Sequence, residues 1–348
     1  MNIQEISKGG ETMVNIITLD HGNGGKGTNE LIHNIFYKYL KNEILLQQGD
    51  SSIIDNINGK LAVTTDSYVI DPIFFPGGDI GKLSICGTVN DLAVSGAKPL
   101  YITAGFIIEE GLKIEELEDI VKSMADTAIK CGIKVIAGDT KVIPKGKGDK
   151  LYINTTGIGV ISDVKRDFRR KLISEGDKII VSGTMGDHGM SIFCKREGMY
   201  FETDIESDCN PLNSLIEEIL REKVNVKFIR DITRGGLATT LNETLHEEKI
   251  SIVINEKDIP VRENVMALCE ILGFDPLYIA NEGKILIVVS KEDCDKTLEI
   301  IKNNPLGREA AVIGEFIIDP NKKVYLKTKY NGTRIIGMLE EELIPRIC

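Results

Sequence analysis

Apolar positions recur along the chain with two periods, one typical of helices and one typical of strands. In the stretch KIEELEDIVKSMADTAIKCG, which starts at Lys113, apolar residues follow helical spacing, and Gly132 is a natural stop. Short runs rich in β-branched residues predict strands before and after this helix, at residues 61–66, 100–108, 134–138 and 151–161. The first half of the chain therefore has the pattern of an α/β domain that ends near Ser162.

The second half repeats this mixture after a charged connector at residues 163–171. Helical patterns occur in LNSLIEEILRE and RENVMALCEILG, and strand patterns in DKIIVSG, SIVIN, KILIVV, AAVIGEFI and VYLKT. Single helices separate some strands while others follow directly, so we expect mixed or antiparallel sheets rather than a doubly wound parallel sheet. The predicted units are an N-terminal segment at 1–48, α/β domains at 49–163 and 164–338, and a C-terminal tail at 339–348.

Composition narrows the function classes. The chain has 348 residues and a formal net charge of -11, which argues against nucleic acid as a partner, because duplex binders neutralise phosphates with clustered Lys and Arg. No apolar run approaches the roughly 20 residues that span a bilayer. The N-terminal stretch also lacks the basic and apolar parts of a secretory signal. We therefore expect a cytoplasmic protein that binds no membrane.

The cysteines are too far apart for a compact zinc or redox motif, since no C-x-x-C pair occurs. Six of the seven lie within or beside predicted elements, where a free cysteine is usually a small buried hydrophobic residue. These six are Cys86, Cys131, Cys194, Cys209, Cys269 and Cys294. Cys348 differs because it is the last residue.

The stretch LDHGNGGKGT at residues 19–28 is rich in glycine, so its backbone N–H groups can approach an anion closely. Gly22, Gly24 and Gly25 are the candidate nucleotide-binding positions. The stretch is not a Walker A loop, because that motif needs a glycine five residues before its Gly-Lys pair and Asp20 stands there. Taken alone, a flexible turn is the simpler interpretation.

Aspartates stand at the ends of several predicted elements. Each one alone is more often a cap or a turn former. If several converge on one cleft, they can hold Mg²⁺ against a triphosphate, because hard oxygen ligands suit this ion. The sequence leaves their convergence open, and the candidate metal ligands are Asp50, Asp66, Asp91 and Asp231.

Two further segments place polar residues and glycine directly after an apolar run. Lys141 in GDTKV can reach a phosphate or act as a base, and the Gly-Gly pair in DITRGGL can expose helix N-terminal amides to phosphate. Glu282 in NEG is a candidate for proton transfer with a lysine, although a solvated turn is the commoner role. The candidate nucleotide-binding residues are Asp139, Thr140, Lys141, Thr233, Arg234 and Gly235.

The chain ends in EELIPRIC, residues 341–348. Pro345 disfavours a helix, and a chain end is mobile unless it is docked. We expect Cys348, the terminal residue after Pro345, to make few buried contacts and to be the thiol of a mobile arm. Taken alone, an inert chain end is the simpler interpretation.

Together these segments resemble the HypE family of hydrogenase maturation factors, in the PurM-like superfamily, along nearly the whole chain. The TTD and ND aspartates also occur in selenophosphate synthetase, aminoimidazole ribonucleotide synthetase and thiamin monophosphate kinase, whereas the terminal PRIC separates the HypE family from them. One departure is Ile232, where the family pattern has proline. The matching segments are HGNGG, TTDSYV, FFPGGDIG, GTVNDLAVSGAKP, GDTKV, GDHG, DITRGGLATTLNE, DPLYIANEG and PRIC.

The resemblance implies a PurM-like fold of two α/β domains, and a homodimer whose N-terminal sheets form a β-barrel with ATP and Mg²⁺ bound beside it. It also implies that a carbamoyltransferase, HypF, loads a carbamoyl group onto Cys348. The chain then dehydrates this thiocarboxamide to a thiocyanate, and the cyanide passes to iron on a HypC-HypD complex. Lys141 and Glu282 are the residues that we expect to accept the amide protons.

Two other functions remain open from the sequence. One is a different phosphoryl-transfer reaction of the superfamily, such as that of selenophosphate synthetase, which needs no C-terminal cysteine. The other is a non-catalytic scaffold that binds maturation partners when ATP is bound. ATP turnover that depends on a carbamoylated Cys348 distinguishes the enzyme from both.

Overall fold

The computed structural model describes residues 15–161, 168, 172–198, 204–245, 249–341 and 343–348. Apart from Phe168, the predicted connector at 163–171 lies outside the described residues. The predicted domain boundary at 163/164 and the first 14 residues of the N-terminal segment lie outside them as well, so these boundaries stay predictions.

The N-terminal domain is built on a four-stranded sheet, whose strands are β1 Lys60–Tyr68, β4 Lys98–Glu109, β5 Lys134–Ile143 and β6 Leu151–Ile161. The order is β1-β6-β4-β5, with β4 and β5 parallel and the other pairs antiparallel. A small antiparallel pair is formed by β2 Phe74–Phe75 and β3 Gly78–Asp79. The helices are α1 Lys26–Leu31, a π-helical turn Ile32–Phe36, α2 Tyr37–Leu40, α3 Ile80–Val94 and α4 Ile114–Cys131.

The two long helices of this domain, α3 and α4, have different patterns of apolar residues. Helix α4 has one apolar face, and it ends where Gly132 adopts a φ of 71°, the left-handed conformation that glycine takes easily. Helix α3 is buried on nearly all sides, so it has no amphipathic pattern. The side chain of Asp79 caps α3 by accepting from the N–H groups of Gly81 and Lys82.

One face of the four-stranded sheet packs on the helices, and the other is open. Alternate residues of β4, such as Ile102 and Phe106, are buried, whereas Leu61, Val63 and Ile107 on the opposite face are 58%, 66% and 45% exposed. The edge strands β1 and β5 do not pair with each other, so the sheet does not close into a barrel within the chain.

The C-terminal domain contains a seven-stranded sheet in the order β13-β12-β9-β11-β7-β10-β8, of which only the β12–β9 pair is parallel. Its strands are β7 Lys178–Val181, β8 Val226–Asp231, β9 Ile250–Asn255, β10 Ile285–Val289, β11 Ala311–Ile318, β12 Val324–Lys327 and β13 Thr333–Ile336. Its helices are α5 Asp187–Arg196, α6 Asn213–Arg221, α7 Gly236–Thr244, α8 Glu263–Leu272 and α9 Cys294–Asn303.

The prediction of two mixed α/β domains is confirmed. Helix α3 packs on β1 and β6 of its own sheet and also on α6 and β8 of the second domain, so it forms the centre of the domain interface. The six cysteines expected to be buried are buried. Within the described part of the chain, no helix is both long and apolar enough to cross a bilayer.

Candidate active site

Most of the residues singled out from the sequence lie in two separate cavities. The first, the glycine-loop cavity, has a volume of about 230 Å³ and lies between β5 and the helical segment at 26–45. Its floor is apolar, from Ile32, Phe36, Leu40 and Phe106, and its rim is polar. The rim contains the predicted nucleotide-binding residues Gly22, Gly24, Asp139, Thr140 and Lys141.

The glycines of this loop determine its shape. A Cβ at Gly22 would lie 2.6 Å from a backbone nitrogen of β5, and Gly24 has a φ of +80°. The N–H of Gly24 donates to Thr28 Oγ1 at 3.0 Å, and the N–H of Gly25 donates to Asn23 Oδ1 at 2.8 Å. These two amides are therefore already bonded inside the loop. The glycines let the loop approach β5 closely, rather than offering these amides to an anion.

Lys141 and Asp139 form an exposed ion pair at the cavity rim. The ammonium of Lys141 lies 2.7 and 2.8 Å from the two carboxylate oxygens of Asp139. This contact lowers the pKa of Asp139. Both side chains are open to solvent, at 62% for the lysine and 70% for the aspartate, so the pair is free to rearrange around a ligand.

The second cavity, the carboxylate cavity, has a volume of about 240 Å³ and lies between the two domains. It is formed by the ends of β1 and β8, by α3, by the segment before β10 and by the chain terminus. Its lining residues are Asp66, Ser67, Tyr68, Gly87, Asp91, Asp231, Thr233, Arg234, Glu282 and Cys348.

Three of the four predicted metal ligands lie in this cavity. Burial raises the pKa of Asp66 and of Asp91, and the nearby Asp91 raises that of Asp66 further. Burial, followed by repulsion from Asp91, raises the pKa of Asp231 to about 7. The fourth, Asp50, is exposed in the loop before β1 and is not among the residues that line the cavity. Within one chain, Asp50 is therefore not a metal ligand together with the three aspartates of the carboxylate cavity.

This carboxylate set suits a hard divalent cation, because the buried acids face one space and disfavour one another's ionisation. Among the described residues, no three His, Cys, Asp or Glu side chains already stand at metal-holding distances. A preformed cage is not required, since Mg²⁺ is usually held by one or two carboxylates together with substrate phosphates and water. Hydrogen bonds orient two of the acids, from Thr64 Oγ1 to Asp91 Oδ2 at 2.7 Å and from the Tyr68 hydroxyl to Asp66 Oδ2 at 3.2 Å.

Glu282 and Cys348 lie on the same cavity wall. Burial, followed by repulsion from neighbouring acidic groups, raises the pKa of Glu282 well above its usual range. Burial and Glu282 raise the pKa of the Cys348 thiol, while a hydrogen bond from Arg234 lowers it. The Arg234 guanidinium lies 3.2 Å from the sulfur. The sulfur therefore shares its cavity with a buried carboxyl and contacts a cation.

Glu282 is held in place through its backbone. Its N–H donates to Asp208 Oδ1 at 2.9 Å, and the side-chain amide of Asn90 donates to its carbonyl oxygen at 3.3 Å. Asp208 is itself paired with Lys284 at 3.3 Å. Since the anchors are main-chain contacts, the carboxyl side chain of Glu282 is left to face the cavity.

The C-terminal tail is docked between the domains. The N–H of Val69 donates to the carbonyl of Cys348 at 3.0 Å, and the N–H of Asp71 donates to the carbonyl of Arg346 at 3.2 Å. Ile344 and Ile347 are 4% and 6% exposed. The expectation that Cys348 makes few buried contacts is therefore wrong, because it packs against the core and its sulfur lies in the carboxylate cavity, while the two isoleucines fill the interdomain groove. Its mobility during the reaction stays a prediction.

Other predicted site residues have different surroundings from those expected. Lys141 and Glu282 line different cavities, so one chain does not bring the proposed proton-accepting pair together. Thr233 and Arg234 line the carboxylate cavity, where Arg234 contacts the thiol. Gly235 starts α7 with a φ of 78°. The reason is topological: GDTKV lies on β5, an edge strand of the N-terminal sheet, whereas NEG precedes β10 of the C-terminal sheet.

Sequence reasoning missed several residues of the site. Tyr68 lines the cavity and stands two positions after Asp66, so strand periodicity could have identified it. His188, in the matched GDHG segment, and Arg196, which carries no sequence signal, both contact the tail. At the one departure from the family pattern, the N–H of Ile232 donates to the Lys284 carbonyl at 3.0 Å, a bond that proline cannot make.

Comparisons with known proteins agree with this architecture. The family model for the N-terminal domain of AIR synthase related proteins matches residues 48–161 of this chain, and the model for their C-terminal domain matches residues 174–327. Carbamoyl dehydratase HypE of Azotobacter vinelandii is 44% identical over 335 residues, which cover 95% of this chain and 97% of that protein. A crystal structure of hydrogenase maturation protein HypE in complex with ATP superposes with a TM-score of 0.90 at 43% identity, covering 95% of this chain and 99% of that one.

A chain of a solved HypE-HypF complex also matches, with a TM-score of 0.77 at 44% identity over 89% of this chain and 99% of that one. The similarity to these proteins spans both domains and nearly their full length. The chain therefore belongs to the HypE family of the AIR synthase-related proteins.

Proposed function

We propose that this chain is an ATP-dependent carbamoyl dehydratase that acts on its own C-terminal cysteine and supplies cyanide for NiFe-hydrogenase maturation. The observation that carries the proposal is the position of the Cys348 sulfur, inside the carboxylate cavity beside Glu282 and Arg234. The relatives of this chain named carbamoyl dehydratase support the same reaction.

The chemistry explains why these groups are needed. A carboxamide on the sulfur must lose its oxygen and both nitrogen protons to become a thiocyanate. The oxygen is a poor leaving group, so it takes the terminal phosphoryl group of ATP and leaves as inorganic phosphate. The two protons require acceptors. Glu282 takes one of them, because its buried carboxyl has a raised pKa and lines the same cavity as the sulfur.

We assign the nucleotide to the glycine-loop cavity and the metal to the carboxylate cavity. The apolar floor of the first suits a planar base, and its rim holds Lys141. Asp66, Asp91 and Asp231 would hold Mg²⁺, which when bound would neutralise the charge of the phosphates. Arg234 orients the sulfur through its 3.2 Å contact.

A homodimer would account for the two features that one chain leaves incomplete. The open face of the N-terminal sheet exposes Leu61, Val63 and Ile107, which a second copy would cover by completing a β-barrel. Lys141 stands exposed on the edge strand of the same sheet. We propose that the second copy brings its glycine-loop cavity, with the bound nucleotide and Lys141, to the carboxylate cavity. There the phosphates would meet the metal, Glu282 takes one proton, and Lys141, as the neutral amine released from Asp139, takes the other.

The reaction requires partners, because the Cys348 sulfur must first receive a carbamoyl group and later give up cyanide. We propose that HypF loads the carbamoyl group, in agreement with the solved HypE-HypF complex of a relative. We further propose that a HypC-HypD complex accepts the cyanide onto iron. Both transfers require Cys348 to leave its groove, since a cavity of about 240 Å³ cannot admit another protein.

The test is a single-turnover reaction on protein that already carries the carbamoyl group. Intact-mass spectrometry after addition of Mg²⁺ and ATP should show the loss of one water from the C-terminal peptide. A non-hydrolysable ATP analogue is the control and should leave the mass unchanged. Retention of the carbamoyl mass with ATP would contradict the proposed function.

A further inference from the structure

The tail is held mainly by contacts to its main-chain carbonyls. Arg196, in the last turn of α5, donates to the carbonyl of Pro345 at 2.6 Å and to that of Arg346 at 2.8 Å. The same guanidinium donates to the carbonyl of Asp71 at 2.8 and 2.5 Å. Arg196 thus connects the tail to the loop between β1 and β2 of the N-terminal domain.

His188, two turns earlier on the same helix, holds the next carbonyl. Its Nε2 lies 2.6 Å from the carbonyl oxygen of Ile347 and its Nδ1 lies 2.7 Å from Ser207 Oγ. A carbonyl oxygen only accepts, so Nε2 carries the hydrogen and Nδ1 accepts from the serine hydroxyl. The imidazole is fully buried, which lowers its pKa and keeps it neutral in this arrangement.

Arg346 fixes the tail from the opposite side. Its Nη1 lies 2.6 Å from Asp149 Oδ2, and its Nε donates to the carbonyl of Val69 at 3.0 Å. Its backbone has a φ of 53°, a left-handed conformation that an arginine adopts only when its surroundings impose it. The turn at Arg346 precedes Ile347, which is buried in the interdomain groove, and Cys348, which enters the carboxylate cavity.

These contacts determine how deep the sulfur sits. Three consecutive carbonyls, at residues 345, 346 and 347, each meet a fixed donor from α5. A slip of the tail by one residue would move the terminus by about 3.3 Å, the rise of an extended chain. Such a slip would separate the sulfur from Arg234, which it now meets at 3.2 Å.

We propose that Arg196 and His188 are positioning residues for the dehydration: they form a clasp that holds the loaded sulfur of Cys348 at the depth of Glu282 and must open for carbamoyl loading. This inference rests on the proposed function. The clasp stabilises the state in which water is lost and competes with the state that a carbamoyltransferase can reach. Weakening it should slow dehydration without slowing carbamoyl loading.

The primary test uses Arg196→Ala. Arg221→Ala is the matched control, because Arg221 is 71% exposed and pairs with Glu217 one turn earlier on α6. Alkylation of Cys348 by iodoacetamide, followed by intact mass, measures release of the tail, since the other cysteines are buried. Loss of several charge-assisted hydrogen bonds should raise this rate at least about tenfold. Single-turnover dehydration should slow at least about tenfold, while carbamoyl loading stays equal or becomes faster.

A second variant, Asp149→Asn, keeps the size of the side chain and weakens only the anchor of Arg346. This variant should also raise the alkylation rate and slow dehydration, each by a smaller factor than Arg196→Ala. An alkylation rate within about twofold of the Arg221→Ala control would overturn the clasp, as would an equal fall in loading and dehydration. If the wild-type protein is never carbamoylated, the proposed function fails, but the alkylation rates still decide whether the clasp exists.

Discussion

Replacement of Glu282 by glutamine should separate catalysis from folding. The residue is 4% exposed, and its pKa is raised first by burial and then by Cys209, Asp208 and other acidic neighbours. Glutamine keeps the shape and removes the ionisable group. The backbone contacts that hold this position, to Asp208 and Asn90, do not involve the side chain and should persist.

General base catalysis contributes roughly 10² to 10⁴ in rate, so Glu282→Gln should slow dehydration of the loaded protein by this factor, or about 3 to 5 kcal/mol of activation free energy. The folded state raises the carboxyl pKa, so the wild-type protein loses stability as the pH rises above the ordinary value of 4.5. At neutral pH the free energy of unfolding of the variant should therefore equal or exceed that of the wild-type protein.

The assay is single-turnover intact-mass spectrometry, with urea unfolding of the same preparations. Glu270→Gln on the exposed side of α8 is the matched control and should change neither quantity. Mg²⁺-ATP affinity, measured by calorimetry, should stay within about twofold of wild type for both variants. Dehydration at the wild-type rate would refute the proton-accepting role. A slow variant that is also less stable would point to a structural role instead.

Three further predictions concern the metal, the dimer and the tail. Asp91→Asn should weaken Mg²⁺-ATP binding in calorimetry and slow dehydration, because it removes an anionic oxygen ligand without changing shape; wild-type affinity would exclude Asp91 as a ligand. Lys141→Ala and Cys348→Ala should each be inactive alone. If Lys141 acts on the partner's sulfur, equal mixing with subunit exchange should restore about a quarter of wild-type dehydration, because half of the dimers are mixed and each has one complete site of two. No recovery would place Lys141 in its own chain's reaction. The free energy of unfolding should fall as the pH drops below about 6.5, because the unfolded chain protonates His188 there while the folded state keeps it neutral; urea unfolding of His188→Asn should show a smaller fall, and an equal fall would assign the effect elsewhere.

Amphipathic elements of the fold could be predicted from the sequence. Helix α4 has one apolar face and a glycine stop, and it lies within one residue of the predicted stretch. Helix α3 could not be recognised as a helix in this way, because burial on nearly all sides removes the period on which the prediction depends. Its segment GTVNDLAVSGAKP was notable only as a motif.

Some residues of the site could be predicted from the sequence, but their arrangement could not. Asp66, Asp91 and Asp231 were identified from strand ends and motif matches, and they share a cavity. The separation of Lys141 from Glu282 depends on which strands form sheet edges, and this order is set by long-range pairing that local pattern does not encode. Docking of the tail likewise depends on a groove between two domains, to which Arg196 contributes without any local signal.

The most direct test of the central claim determines which residue carries the carbamoyl group and how ATP changes the mass of that group. Wild-type and Cys348→Ala proteins would be incubated with HypF and carbamoyl phosphate, digested, and mapped by mass before and after addition of Mg²⁺-ATP. We expect the wild-type C-terminal peptide to gain one carbamoyl group and then to lose one water, and the variant to show neither change. Carbamoylation of the variant at another residue, or a wild-type carbamoyl mass that ATP leaves unchanged, would contradict the account.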